Sequence, residues 1–305
     1  MSRLNTAMGA TCAALVFAVT TQASAAELKV VASFSIIADM AKNVGGDRIK
    51  IDTLVPPNSD THTYEPRPAD AAALSEADVI LVNGFGLEGF LPRLIKASGT
   101  KAVVSEVSNG ISPIKGDAHD TLHGEAHGEN YNAHAWQSLR NGRIYVENIR
   151  KALCKADQNA CDAYTLNAKH YLSKLDDLDK QISAEINALP VEKRTIITTH
   201  EAFEYLERDY GLRFEAPQGV STEAEASAAD VAKLVDQVKL DKASAIFIEN
   251  ITNPKLIEQI ARETGLNIGG VLYSDALSKS DGPAATYVDM FRYNVKTIKT
   301  AIVGS

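Results

Sequence analysis

The chain has 305 residues, 45% of them hydrophobic and 23% charged, with a formal net charge of −8. That balance excludes a disordered chain and leaves enough length for two cores. It also disfavours nucleic acid as a partner while tolerating cations.

Residues 1–26 have the layout of a secretory signal peptide: Arg3 as the positive end, an apolar run from Ala13 to Val19, and Ala23-Ser24-Ala25 at the cleavage site. The apolar run is too short for a membrane anchor, and no other stretch reaches ~20 apolar residues. Cys12 lies ahead of that run in GATCAA, which is not a lipoprotein setting. The expectation is a free soluble protein in the periplasm, not inserted in the membrane and acting as a monomer.

After the leader, LKVVASF (28–34) reads as a strand and IIADMAKNVGG as a helix that stops at Gly45-Gly46. Ile49 to Val55 is a second strand running into PPNSDTHTYEPRPAD, where the prolines predict an exposed loop. Asp78 to Asn83 is a near-continuous apolar run, the pattern of a parallel strand covered on both faces. GFGLEGF follows as a loop that lacks the lysine and glycine spacing of a phosphate loop, then a helix, then the strand KAVVSEV.

Between Asn109 and His134 the pattern turns polar and carries His119, His123 and His127. Two readings stand: a solvated segment, or an auxiliary metal loop that captures zinc or receives it from a periplasmic donor protein. A helix is expected from Leu139 to Lys155, and Cys154 and Cys161 flank its end. Export makes a disulfide permissible; free thiols or a thiolate metal site are the other readings, the last short of cysteines.

From Asn159 to Leu189 nothing breaks a helix, and Tyr164, Ala168, Tyr171, Leu175, Leu178, Ile182, Ile186 and Leu189 recur at steps of four and three. Such a helix would be about 45 Å long, enough to cross a domain. Beyond Pro190 the alternation restarts: RTIITTH, helix AFEYLERDYG, a strand near Phe214, helix SAADVAKLVDQVKL, SAIFIEN, helix PKLIEQIARET, NIGGVLY and a closing helix from Pro283. The fold class is therefore α/β, with two parallel-sheet lobes joined by one long rigid helix. The expected divisions are 27–157, 158–189 and 190–305.

Ligands in such folds gather at the carboxyl ends of strands. Four residues at predicted strand ends or in the adjoining loops can coordinate a metal: His62, His134, His200 and Asp275, two from each half. Glu249, in AIFIEN, could orient a ligating imidazole or make an ordinary hydrogen bond. Tyr64 and Trp136 beside the candidates are expected to be core packing.

The stretches VPPNSDTHTYEPRPAD, NAHAWQSLRNGRIYVENI, TTHEAFEYLERDYGL, EASAADVAKLV and LYSDALSKSDGPAATYVDMFRYNV give the chain a resemblance to the solute-binding proteins of zinc and manganese ABC transporters, cluster A-I. The resemblance implies metal held between the lobes by His62, His134, His200 and Asp275, and a membrane permease with its ATPase as partner. It also implies that manganese binders carry an acid where this chain has His200. Three imidazoles and one carboxylate suit zinc; manganese prefers more oxygen, and copper outcompetes zinc at nitrogen. The expected function is a high-affinity zinc receptor, with a manganese receptor as the alternative. A zinc hydrolase is the reading from another class, but a metalloprotease helix needs a second histidine where Glu204 stands.

Overall fold

The apolar runs that ask for burial on both faces obtain it in two sheets of identical design. The computed structural model describes residues 27–116 and 131–304; the leader and the segment with His119, His123 and His127 lie outside them. In the first sheet Leu28–Phe34 (β1) pairs with Ile49–Val55 (β2) on one side and Val79–Val82 (β3) on the other, and Val103–Glu106 (β4) adds to β3. Every pairing is parallel, in the order β2-β1-β3-β4. Ser35–Gly45 (α1), Pro68–Glu76 (α2), Leu91–Ser98 (α3) and Leu139–Ala156 (α4) cover its faces.

The second sheet repeats the plan. Thr195–Ile197 (β5), Arg213–Glu215 (β6), Ala245–Glu249 (β7) and Ile268–Leu272 (β8) lie parallel in the order β6-β5-β7-β8. With them go Glu204–Tyr210 (α6), Ala228–Asp241 (α7), Lys255–Thr264 (α8) and Tyr287–Val303 (α9). In both sheets the chain reverses direction of travel beside the first strand, the point where α/β sheets leave a crevice.

Between the sheets runs Cys161–Asn187 (α5), an uninterrupted helix of 27 residues, about 40 Å long at the usual rise. Its buried positions are Tyr164, Ala168, Tyr171, Leu175, Leu178, Ile182 and Ile186, the stripe that the periodicity predicts. It is shorter than Asn159–Leu189 because Gln158–Ala160 form a 3-10 turn, capped by Asp157 accepting from the Ala160 N–H. One side of α5 packs on α1 and α4, another on α6 and α9. A disulfide joins Cys154 at the end of α4 to Cys161 at the start of α5. One continuous buried cluster extends from Val30 and Phe34, through the α5 stripe, to Phe247, Tyr287 and Phe291 in the second half.

Three local expectations need correction. The segment after β2 is not all loop: Pro68 opens α2 from the first turn, where its missing N–H costs nothing. Nor is that loop fully exposed, since Thr61 is buried and His62 nearly so. The closing helix begins at Tyr287 and not at Pro283, because the Thr286 hydroxyl caps the Asp289 N–H.

Tyr287 fixes the seam between the halves. Its N–H donates to Asp39 of α1 at 3.0 Å, and its hydroxyl donates to the carbonyls of Trp136 and Ser138. A Cβ at Gly142 of α4 would stand 2.7 Å from that hydroxyl, so only glycine permits the approach. Burial pushes the Asp39 carboxyl up to about 6 against the opposing pull of the Tyr287 N–H. Among the described residues no helix is long and apolar enough to cross a membrane.

Candidate metal centre

Each half contributes two segments to one point in the cleft. His62 lies seven residues past the end of β2, and its N–H donates to Asp60 at 2.9 Å; the other Asp60 oxygen accepts from Thr222 of the second half at 2.6 Å. The Asn58 N–H, on the same loop, donates to the Leu277 carbonyl at 2.9 Å. His134 precedes a 3-10 turn, Ala135–Gln137, that leads into α4. His200 follows β5 and Asp275 follows β8, so both emerge at carboxyl ends of strands in the second sheet.

The ligand-type atoms of His62, His134, His200 and Asp275 all lie within 4.8 Å of one another. His134 Nε2 is 3.2 Å from Nε2 of both His62 and His200. Asp275 Oδ2 is 3.3 Å from His62 Nε2 and from His200 Nε2, and its Oδ1 is 3.5 Å from His134 Nε2. His134, His200 and Asp275 are fully buried, whereas the His62 side chain keeps 7% of its surface exposed. Buried carboxylate oxygens facing only imidazole edges, with no hydrogen bond to satisfy them, have the chemistry of a cation site.

Behind the ligand atoms stands a second set of residues. Glu249, the last residue of β7, places one oxygen 2.7 Å from His200 Nδ1; its other oxygen accepts the N–H of Thr199 at 2.7 Å and of His200 at 3.0 Å. One side chain thus makes ordinary hydrogen bonds to the backbone and stands beside the His200 ring. Asn132 Oδ1 lies 2.8 Å from His134 Nδ1. The indole of Trp136 and the amide of Gln137 both donate to the Ser274 carbonyl, at 2.9 and 2.6 Å, and so hold the peptide that precedes Asp275. Trp136 is core packing, as expected, and an anchor as well. Tyr64, as expected, packs against the same core, with its ring on Phe90, and its hydroxyl donates to Asp70.

These surroundings shift the titration of the buried groups in different directions. Burial lowers the His134 imidazole below its ordinary value, more than the nearby Asp275 raises it. Burial also opposes a charge on His200, but Glu249 and Asp275 outweigh it and hold that imidazole well above the usual range. Asp275 pays for its burial with attraction to His134 and His200, and its carboxyl is held well below the usual carboxylate range.

Asn132, Trp136 and Gln137 as supports escape sequence reading, since their partners lie far along the chain. GFGLEG is no anion cradle: Glu88 folds back so that its carboxylate accepts the Asn83 N–H at 2.6 Å. His119, His123 and His127 fall outside the described residues.

Comparison with known proteins adds to this geometry. The family model "Zinc-uptake complex component A periplasmic", ZnuA, matches residues 30–301. The manganese-binding lipoprotein MntA of Halalkalibacterium halodurans is 34% identical over 90% of this chain and 88% of its own. The iron ABC transporter substrate-binding lipoprotein MtsA of Streptococcus pyogenes serotype M1 is 34% identical over 93% of this chain and 91% of its own. Among solved structures, the periplasmic zinc binding protein TroA from Treponema pallidum superposes with a TM-score of 0.82 at 31% identity, covering 90% of this chain and 99% of the other.

Proposed function

This chain belongs to the family of zinc-uptake complex component A, the periplasmic metal-binding receptors of ABC transporters, and from that premise we propose that it is a high-affinity Zn2+ receptor. In this reading His62, His134, His200 and Asp275 take the ion from the periplasm and the protein delivers it to a permease driven by its ATPase. Residues 1–26 are the export leader, 27–157 and 190–305 the lobes, and 158–189 the connecting helix. Receptors of this family are not enzymes, so the hydrolase alternative falls away.

The observation that carries zinc is the donor set. Three imidazoles and one carboxylate are what a four-coordinate zinc site uses, and a tetrahedron with bonds of about 2.0 Å has edges of about 3.3 Å. Five of the six donor pairs, with Asp275 taken at its nearer oxygen, stand 3.2 to 3.5 Å apart, close to that figure, and the whole set falls within 4.8 Å. A manganese receptor is the second reading, because relatives as similar as MntA carry that metal in their names.

Elemental analysis of the mature protein, purified after growth with zinc, manganese and iron together, tests the choice. One zinc per chain, lost on substituting any of the four residues, is expected. Manganese in its place would overturn the zinc reading, and retention of metal by all four variants would overturn the site.

A further inference from the structure

Asn132 is fully buried, and each end of its carboxamide makes two contacts. Oδ1 accepts the backbone N–H of His134 at 2.9 Å and lies 2.8 Å from His134 Nδ1. Nδ2 donates to the Glu201 carbonyl at 2.8 Å and to the Glu204 carboxylate at 2.9 Å, both in the second half of the molecule. A backbone N–H at one end and a carbonyl at the other leave no freedom to exchange the oxygen and nitrogen of the amide. With Oδ1 so fixed, His134 Nδ1 carries the proton and the Nε2 lone pair points at the other ligand atoms.

The backbone of Asn132 is held from the same side. Its carbonyl accepts the Tyr205 hydroxyl at 2.8 Å, and that oxygen accepts the Ile114 N–H at 3.0 Å. Tyr205 and Glu204 open α6, and Glu201 lies in the turn between His200 and α6. The residue that aims a ligand of one lobe is thus gripped by the α6 region of the other.

We propose that Asn132 is a positioning residue that makes the orientation of His134 conditional on the docking of the second lobe. Displacement of α6 removes both acceptors of the Asn132 amide group, frees the carboxamide to turn, and releases the His134 ring from its metal-facing tautomer. Retention of cargo and closure of the cleft then share one side chain.

The proposal rests on the metal-site reading above, and its test separates the two because the tautomer is read in protein without metal. Long-range 15N–1H correlation of labelled histidine should show His134 as the Nδ1–H form in the wild type. Asn132→Ala should mix the tautomers and speed Zn2+ loss to a chelator by about 10- to 100-fold. Asn132→Asp keeps the acceptor for His134 but loses the donors and faces Glu204 with a like charge. It should release Zn2+ faster, as should Glu204→Ala, which keeps the Oδ1 acceptor, and so the tautomer, while it loosens the cross-lobe end.

A purely structural role would lower melting temperature without moving the tautomer. A folded Asn132→Ala with the wild-type tautomer would overturn the positioning role. Wild-type release from both Asn132→Asp and Glu204→Ala would overturn its dependence on the other lobe. Absence of Zn2+ binding by the wild type would sink the zinc reading and leave the tautomer measurement standing.

Discussion

His134 and His200 meet at 3.2 Å, both fully buried, yet their surroundings shift the two imidazoles in opposite directions, His134 down and His200 up. Burial opposes charge on each ring, so burial cannot be the difference. What differs is the wall behind them: a carboxamide, Asn132, backs one imidazole, and a carboxylate, Glu249, backs the other. A neutral wall fixes a tautomer and leaves the ring neutral, whereas an anionic wall also recruits a proton. Glu249 and Asp275 therefore favour the protonated form of His200, and a metal ion binding its Nε2 would compete with that proton.

The strongest way to break this contrast is to remove the anion in front of both rings. Asp275→Ala should lower metal affinity by more than the ~100-fold typical of a supporting residue, measured by competition with a chromogenic chelator. It should also bring the His200 titration down toward that of His134.

A sharper comparison comes from Asp39, a half-buried aspartate that accepts from the Tyr287 N–H and the Tyr171 hydroxyl and not from imidazoles. The folded-state value of Asp39 is raised to about 6 from 3.8, so the folded protein binds this proton more tightly than the unfolded chain does. Stability from this group is present below about pH 4 and lost as pH rises through 6, by at most about 3 kcal/mol. Denaturation midpoints from pH 4 to 7 should fall in the wild type relative to Asp39→Asn. Asp275 has the opposite sign: its carboxyl is depressed, and its stability is lost on acidification.

Glu249→Gln turns the wall of His200 into a copy of the wall of His134. Affinity should fall by about 10- to 100-fold, or about 1.4 to 2.7 kcal/mol. The pH profile is the more telling readout. Because Glu249 and Asp275 raise His200 above the ordinary imidazole range, wild-type affinity should begin to fall on acidification at a higher pH than an ordinary imidazole would give. In Glu249→Gln that fall should begin at lower pH, and coincident profiles for the two proteins would refute the contrast.

The smallest expected effect is in shape. With α5 unbroken and Asn132, Trp136, Gln137 and Tyr287 all bonded across the seam, the lobes should shift only slightly on metal binding. Small-angle scattering with and without Zn2+ should give nearly superimposable profiles; a change on the scale of a flexibly hinged receptor would contradict this.

Much of this was legible along the chain because it is periodic. The α5 stripe, strands β1 and β2, and the alternation after Pro190 follow from local spacing. The placing of His62, His134, His200 and Asp275 at strand ends or in adjoining loops drew attention to side chains that the fold brings within 4.8 Å of one another. The supports were not legible. Asn132 reaches residues 69 and 72 positions away, and Trp136 finds its acceptor 138 positions away. Pro68 misled because proline breaks a helix from within yet suits its first turn. Glu249 was half visible: its place at the end of β7 suggested a partner, while the strand pairing of β5 with β7 decided which one.

The apolar cluster that runs from Val30 through the α5 stripe to Phe291 bears on how the molecule comes apart. Residues of both sheets share it, so neither half could be excised without baring tyrosine, leucine and isoleucine side chains to water. Heating should accordingly yield one calorimetric peak in place of two, and a fragment ending before α5 should precipitate rather than refold.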